Sequence, residues 1–404
     1  MIPTHWATHL LKAGLILFCI SLPVSIFLND VAIALILFAS VAEGNFKERS
    51  KNFGSTILIA PMAFYLLHVM GLMYTENFTE AFKQLETKAA LLLLPLALGT
   101  TQILEPNFKQ ALYRTFVLTN AALSVICLGY AVYQYYAAGT VSYFNYHALT
   151  QIIDLHAVYF ALYLALSVML IIQSNLDGHR LLCRKADALL VMLFTLMIIL
   201  LSALVIIVLL PLVILILVYK KFIKHFSFFR QIAAVSGLIL SIVILVYLIP
   251  YTRNKFERMS LTNYEMGDLD YQWNSLSIRM AKWESGWQVI NNHYLIGVGT
   301  GDGQDALMAS YKEKGFLEGI RNNYNSHNQY IETWIMLGLP GIGLLLYMVW
   351  PFRLSFFWGV WMLLISVSFF TENMLDTQKG VVFFSFFFAL WAGPLRKTMV
   401  SAKD

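Results

Sequence analysis

In the run NSHNQYIETWIMLGLPG, Asn325 to Gly341, a histidine flanked by polar residues opens a segment that otherwise reads as lipid-buried. An imidazole exchanges a proton near neutral pH. If Asn325 or Ser326 caps the helix that follows, His327 falls in its first turn, where the helix dipole disfavours imidazolium and keeps the ring neutral. A neutral imidazole is the form that a general base needs. An interfacial ring satisfied by a backbone carbonyl is the alternative, and position alone does not choose between them. Asn328 and Glu332 share a helical face while His327 points elsewhere. Glu332 is a functional candidate if its turn lies in hydrocarbon, and otherwise a salt-bridge partner for a loop arginine.

Arg279, in SIRMAKWESGWQVINN, is the second candidate. With Ser275 or Ser277 as N-cap it sits in a first turn, where the dipole opposes a cation and free backbone N–H groups attract an anion. Such a place suits a phosphate. A cation–π contact with Trp283 or a pair with a loop carboxylate is the alternative. Arg253, Arg258 and Arg321 add positive charge to the same stretch. Lys88, after QLET, can reach a phosphate or snorkel.

Other motifs are weaker. GVGTGDG, Gly297 to Gly303, offers backbone N–H groups to a phosphate, but without the right strand and helix around it the run reads more simply as a glycine-rich turn. Asp268 and Asp270 have a spacing that can hold a divalent metal, although two acids in a polar loop are common. His147 and His156 bracket a loop and read as structural. Gly338, Pro340 and Gly341 mark a kink. Cys19, Cys127 and Cys183 stand at unrelated spacings, against a disulfide framework or a zinc site.

The elements that must position these groups are membrane helices. Of 404 residues 59% are hydrophobic and only 13% charged, so the net charge of +5 is read by location and not as a nucleic-acid signal. Apolar segments recur from Leu10–Leu28 to Val381–Ala392, several shorter than the ~20 residues of a straight span. The run Ala188 to Tyr219 is too long for one span, and cations flank both its ends: Arg180, Arg184 and Lys185 before, Lys220, Lys221, Lys224 and Arg230 after. Both ends are then cytoplasmic, and the run folds as two helices turning near Ser202, giving about twelve spans. Lys47, Arg49 and Lys51, Lys109 with Arg114, Arg353, and Arg396, Lys397 and Lys403 fall on that same side; Lys83, Lys88 and Lys379 fall on the other. Both termini are expected inside.

The expected fold is an all-α polytopic membrane protein in three parts: spans one to nine over 1–250, an outer loop with an amphipathic helix over 251–326, and spans ten to twelve with a short tail over 327–404. Arg279, Trp283, Trp287 and Ile290 share one face of the loop helix and are expected to lie on the bundle or the lipid interface. A loop of that length is usually functional. No internal repeat is visible, which disfavours repeat-built transporters.

This arrangement resembles the bacterial O-antigen ligases. The likeness rests on the span count, the large loop between spans nine and ten, an arginine ahead of GVGTGD, and HNQYIETWIMLGLPG opening span ten; LETKAALLLLPL and DLHAVYFALYL add character with less specificity. The wider superfamily includes O-antigen polymerases and protein O-oligosaccharyltransferases. The resemblance implies a GT-C-like fold in the bacterial inner membrane with a periplasmic active site. It implies an inverting, metal-independent glycosyltransferase without a cofactor, which moves a glycan from undecaprenyl diphosphate to a lipid A-core acceptor. Membrane lipids surround it and no nucleic acid is involved.

Carried over by position, His327 matches the family's essential histidine and Arg279 its loop arginine. Arg321, Arg253, Lys88, Asn328 and Glu332 are the candidate substrate-binding residues. The family usually places a further basic residue after a serine between spans seven and eight. Here Ser202 is followed by Ala203 and Leu204, with no Lys or Arg from Ala186 to Tyr219. Polymerase or protein oligosaccharyltransferase activity is the nearer alternative, and lipid or solute transport the remote one.

Overall fold

The computed structural model describes residues 4–44, 56–99, 105–248, 253–254, 266–267, 273–350 and 354–392. The described residues are helical, with no strand among them. Arg258, Asp268 and Asp270, the loop cations Lys47, Arg49, Lys51 and Arg353, and the tail cations Arg396, Lys397 and Lys403 lie outside them.

A hairpin of α1 (Thr4–Ser21) and α2 (Ile26–Ala42) is followed by α3 (Thr56–Gly71), α4 (Phe78–Lys88), α5 (Ala90–Leu98) and the long α6 (Pro106–Ala138). Next come α7 (Ala157–Leu176), α8 (Arg184–Leu200), α9 (Leu204–Lys221) and α10 (Phe228–Leu248). The long connection carries α11 (Ser275–His293) and α12 (Gly303–Glu313), and α13 (Gln329–Met348), α14 (Phe356–Ser368) and α15 (Gln378–Ala392) complete the bundle. Five segments among the described residues are long and apolar enough to cross a membrane: Ile57–Tyr74, Pro106–Ala138, Ala157–Leu176, Leu204–Lys221 and Gln329–Met348. With the shorter apolar helices around them, the protein is a helical, membrane-embedded bundle.

Local chemistry explains the breaks. The apolar run Leu10–Leu28 is not one span: it turns at Pro23, which cannot continue a helix, and Ser25 accepts a hydrogen bond from the Leu28 N–H to start α2. Ala188–Tyr219 divides as expected, with Ser202 in the left-handed region at φ 49° between α8 and α9. α7 and α15 are apolar all round, as buried helices are. In α15, Phe386 stacks on Phe18 at 4.0 Å and Phe387 meets Phe116 edge-on at 5.1 Å.

The connections sort into two ends. Residues 147–159, 202–206, 275–279 and 371–379 contribute to cavities at one end; Gln110, Gln173, Asp177, His179, Lys220, Lys221 and Lys224 meet at the other.

The long connection is more than a loop with one helix. Ala281, Val289 and Ile290 of α11, Leu307 and Tyr311 of α12, Phe316, and Ile335 of α13 form a separate small core that seats it on the bundle. The face expected to lie down meets the bundle in part, and the residues buried beside it are small. Ser277, Ala281, Ser285, Val289 and Ile290 are buried, whereas Trp287 is half exposed and packs edge-on against Trp334 at 5.5 Å. Small residues let α11 approach α13 closely, which a tryptophan stripe would prevent.

The expected kink in α13 falls at Gly338, with φ 62° and ψ −155°. The glycine-rich run braces it. Val298 N–H donates to Ile335 O at 2.8 Å, Gly299 N–H to Met336 O at 3.1 Å, and Leu339 N–H to Tyr294 O at 3.0 Å. A Cβ on Gly297 would stand 2.4 Å from Met336 O, so only glycine permits this contact. The N–H groups of Val298, Gly299 and Gly301 are all spent within the protein, the last on Thr75 Oγ1, so GVGTGDG is a structural turn.

Candidate functional site

His327 sits just before the helix and not in its first turn. Asn328 is the N-cap of α13, its side-chain oxygen accepting from the N–H groups of Tyr330 and Ile331. His327 occupies a bend at φ 46°, held by its N–H donating to Asn325 Oδ1 at 3.2 Å. A non-glycine residue in that region is uncommon and costs roughly 1–3 kcal/mol, so the surrounding bonds must impose it. The ring is about a third exposed, and its Nδ1 lies 3.8 Å from Oε2 of Glu372, close enough for an ion pair and too long for a hydrogen bond.

Glu372 comes from the turn between α14 and α15, which sequence reasoning did not single out. Burial pushes its carboxyl up, but His327, His156 and Arg279 more than offset this and hold it below the usual carboxylate value of 4.5. His156, the N-cap of α7, is lowered by burial, while Glu372 raises it and His327 lowers it. Three groups from distant parts of the chain therefore surround one carboxylate.

Glu332 is neither a loop salt bridge nor a free acid in hydrocarbon. It is buried, and its Oε2 accepts from Ser326 Oγ at 2.5 Å and from Asn373 Nδ2 at 2.8 Å. Those donors adjoin His327 and Glu372, so Glu332 clamps the two turns that bring the pair together. Gln329 adds a second tie, accepting from Leu375 N–H at 2.6 Å and donating to Asp376 at 3.0 Å.

Arg279 is one residue beyond the first turn of α11. The N-cap is Asn274, which accepts from the N–H groups of Leu276 and Ser277 in a capping box, and not Ser275 or Ser277. Its side chain is half-buried and lines a cavity of about 270 Å³ with Glu372, Thr371, Tyr146 and the turn Ser202–Leu204. The place where a further cation was expected thus faces the same cavity as Arg279, and Leu204 fills it.

A cation does stand nearby on α11. Lys282 is buried, with its Nζ 3.8 Å over the Tyr324 ring. Burial first, and the charge of Arg279 second, bring its pKa down to about 7, with Glu372 acting in the opposite sense. Its position one turn after Arg279 was the signal in the sequence.

The remaining candidates are not brought to this cavity. Lys88 is fully buried in an ion pair with Asp376 and a hydrogen bond to Gln84. Arg321 is 78% exposed and faces Glu318 at 3.9 Å. Arg253 is exposed. His147 and His156 stack edge to face at 4.3 Å beside a second cavity of about 530 Å³ that also meets Tyr159, Thr377 and Lys379. Among the described residues no three His, Cys, Asp or Glu side chains converge as a metal site requires.

Chemically, the arrangement offers an accessible imidazole, a carboxylate that can orient it, and an arginine beside a cavity where it can meet an anion. No curated protein matches the chain. A protein-family model described as O-Antigen ligase matches residues 188–346, a stretch that holds Arg279, Lys282, His327 and Glu332 but not Glu372. The segment that carries the imidazole and the cations is therefore similar to the O-antigen ligase superfamily, whose members are glycosyltransferase-like enzymes of O-antigen processing.

Proposed function

We propose that the protein is an inverting glycosyltransferase of the inner membrane, acting on the periplasmic face with both termini in the cytoplasm. It transfers a glycan from an undecaprenyl diphosphate donor to a sugar hydroxyl of a lipid A-core acceptor. The observation that carries this reading is the convergence of His327, Glu372 and Arg279, with the last two lining one cavity.

In this mechanism the donor diphosphate meets Arg279 with Lys282 behind it, and the acceptor hydroxyl approaches His327. The imidazole takes the hydroxyl proton as the oxygen attacks the anomeric carbon on the face opposite the diphosphate, so configuration inverts. Glu372 orients the ring and balances the imidazolium that forms. The departing diphosphate carries its charge onto the cations and needs no general acid. General-base help is worth ~10²- to 10⁴-fold, and a positioned charge contact ~3–4 kcal/mol.

The test is glycan transfer by purified His327→Ala and Arg279→Ala from an undecaprenyl-linked donor, with a lipid A-core and a second carrier-linked repeat offered together. Loss in both variants, with the core elongated by the parent protein, supports a ligase. Elongation of the carrier-linked repeat instead identifies a polymerase, and near-normal turnover by either variant removes that residue's role.

A further inference from the structure

The end of the bundle opposite His327 has a built site that the transfer reaction does not use. α9 runs from Leu204 at the Arg279 cavity to Lys221, a rise of about 25 Å, so its far end cannot share a ligand headgroup with Arg279. There Lys220, Lys221 and Lys224 line a cavity of about 630 Å³ together with His179. Its carboxylate, Asp177, is engaged by Gln173 at 2.9 Å and 3.0 Å.

A second cavity, of about 450 Å³ and almost wholly apolar, adjoins it along α9 and α14 and is lined by Ile216, Gly359, Val360 and Leu363. Ser355 and Phe356 border both cavities. Lys220 Nζ lies 4.2 Å above the Phe356 ring, which fixes an ammonium at the junction. Leu354, Phe356 and Leu363 remain partly exposed. Cations that merely set topology need only flank a span. These line one side of a chamber that adjoins an apolar groove.

We infer that this composite cavity binds an anionic phospholipid, the phosphate among Lys220, Lys221 and Lys224 and an acyl chain in the groove between α9 and α14. Charge complementarity selects the headgroup and the groove selects an amphiphile over a free phosphate. Phosphatidylglycerol satisfies both requirements, whereas phosphatidylcholine presents a cation to the lysines.

The test is native mass spectrometry of the purified full-length protein with phosphatidylglycerol or phosphatidylcholine of matched acyl chains, and with glycerol 3-phosphate. Preferential retention of phosphatidylglycerol is expected, weakened by about fivefold per lysine in Lys220→Gln, Lys221→Gln and Lys224→Gln. Leu363→Trp keeps every charge, fills the groove, and should also release the lipid, which guards against misfolding or altered topology in the lysine variants. Equal retention of the two lipids overturns the proposal, as does wild-type retention of phosphatidylglycerol by Leu363→Trp. Retention of glycerol 3-phosphate as strong as that of the lipid would assign the chamber to free phosphate instead.

Discussion

Glu332 and Asn373 are joined by a hydrogen bond of 2.8 Å, and through it the start of α13 is tied to the turn before α15. The neighbours of this tie, His327 and Glu372, are the pair on which the chemistry depends. Glu332→Ala removes an acceptor of Ser326 and leaves the Asn373 amide buried without one, at ~1–3 kcal/mol for the unsatisfied group. We expect a lower Tm together with a fall in kcat, and a milder effect for Glu332→Gln, which keeps a carbonyl acceptor. A loss confined to donor KM with unchanged Tm would instead make Glu332 a substrate ligand.

Glu372→Gln keeps shape and removes charge. Because neighbouring cations hold the Glu372 carboxyl below 4.5, it is ionised at neutral pH. Its stabilising contribution is present above the ordinary carboxylate pKa, ~4.3, and is lost as pH falls through the depressed folded value. Thermal unfolding followed from pH 7 to pH 3 should show an acid loss in the parent protein that the variant lacks. At pH 7 the variant should lose kcat with little change in donor KM, since its role is to orient His327.

Lys88→Met separates a structural role from a substrate role. Removing one member of the buried Lys88–Asp376 pair leaves Asp376 uncompensated, a change of ~3–5 kcal/mol. The protein should melt earlier, and Lys88→Met with Asp376→Asn should recover part of the loss, while the folded fraction keeps its donor KM. A raised donor KM at full stability would return Lys88 to the diphosphate.

The helices, the turn at Ser202 and the kink at Gly338 were legible because each has a local cause: an apolar run, a change of flanking charge, or a Gly–Pro pair. Both helix caps were misplaced by a residue or more. Asn325, Ser326 and Asn328 stand within reach of one start and Asn274, Ser275 and Ser277 of the other, all are good caps, and tertiary ties such as Gln329 to Leu375 choose among those of α13. The aromatic stripe of α11 was only part of its buried surface: periodicity finds Trp287 and Ile290, but α11 also buries the small residues Ser277, Ala281, Ser285 and Gly286. Glu372 was hidden because its partners come from other turns. Its only trace is an acidic residue in TENMLD, a polar break between apolar segments.

Lys282 tests whether a cation near the Arg279 cavity can stand in for the basic residue absent at Leu204. Its pKa is about 7 when folded, against 10.5 for an ordinary lysine, so between these values the unfolded chain holds a proton that the folded one has released. Stability should rise with pH across that window, and the burial cost is complete below pH 7. Lys282→Met removes the cost, so the variant should gain stability over the parent protein at pH 6 and lose that advantage towards pH 10. If the ammonium also meets the diphosphate, donor affinity should fall by about tenfold or more in the variant, the loss of one charge-assisted hydrogen bond at ~1.5–3 kcal/mol. The parent protein should bind donor less tightly as pH rises above 7, and Lys282→Met should not show that limb. Donor binding by Lys282→Met that matches the parent protein throughout would leave Arg279 alone at the diphosphate.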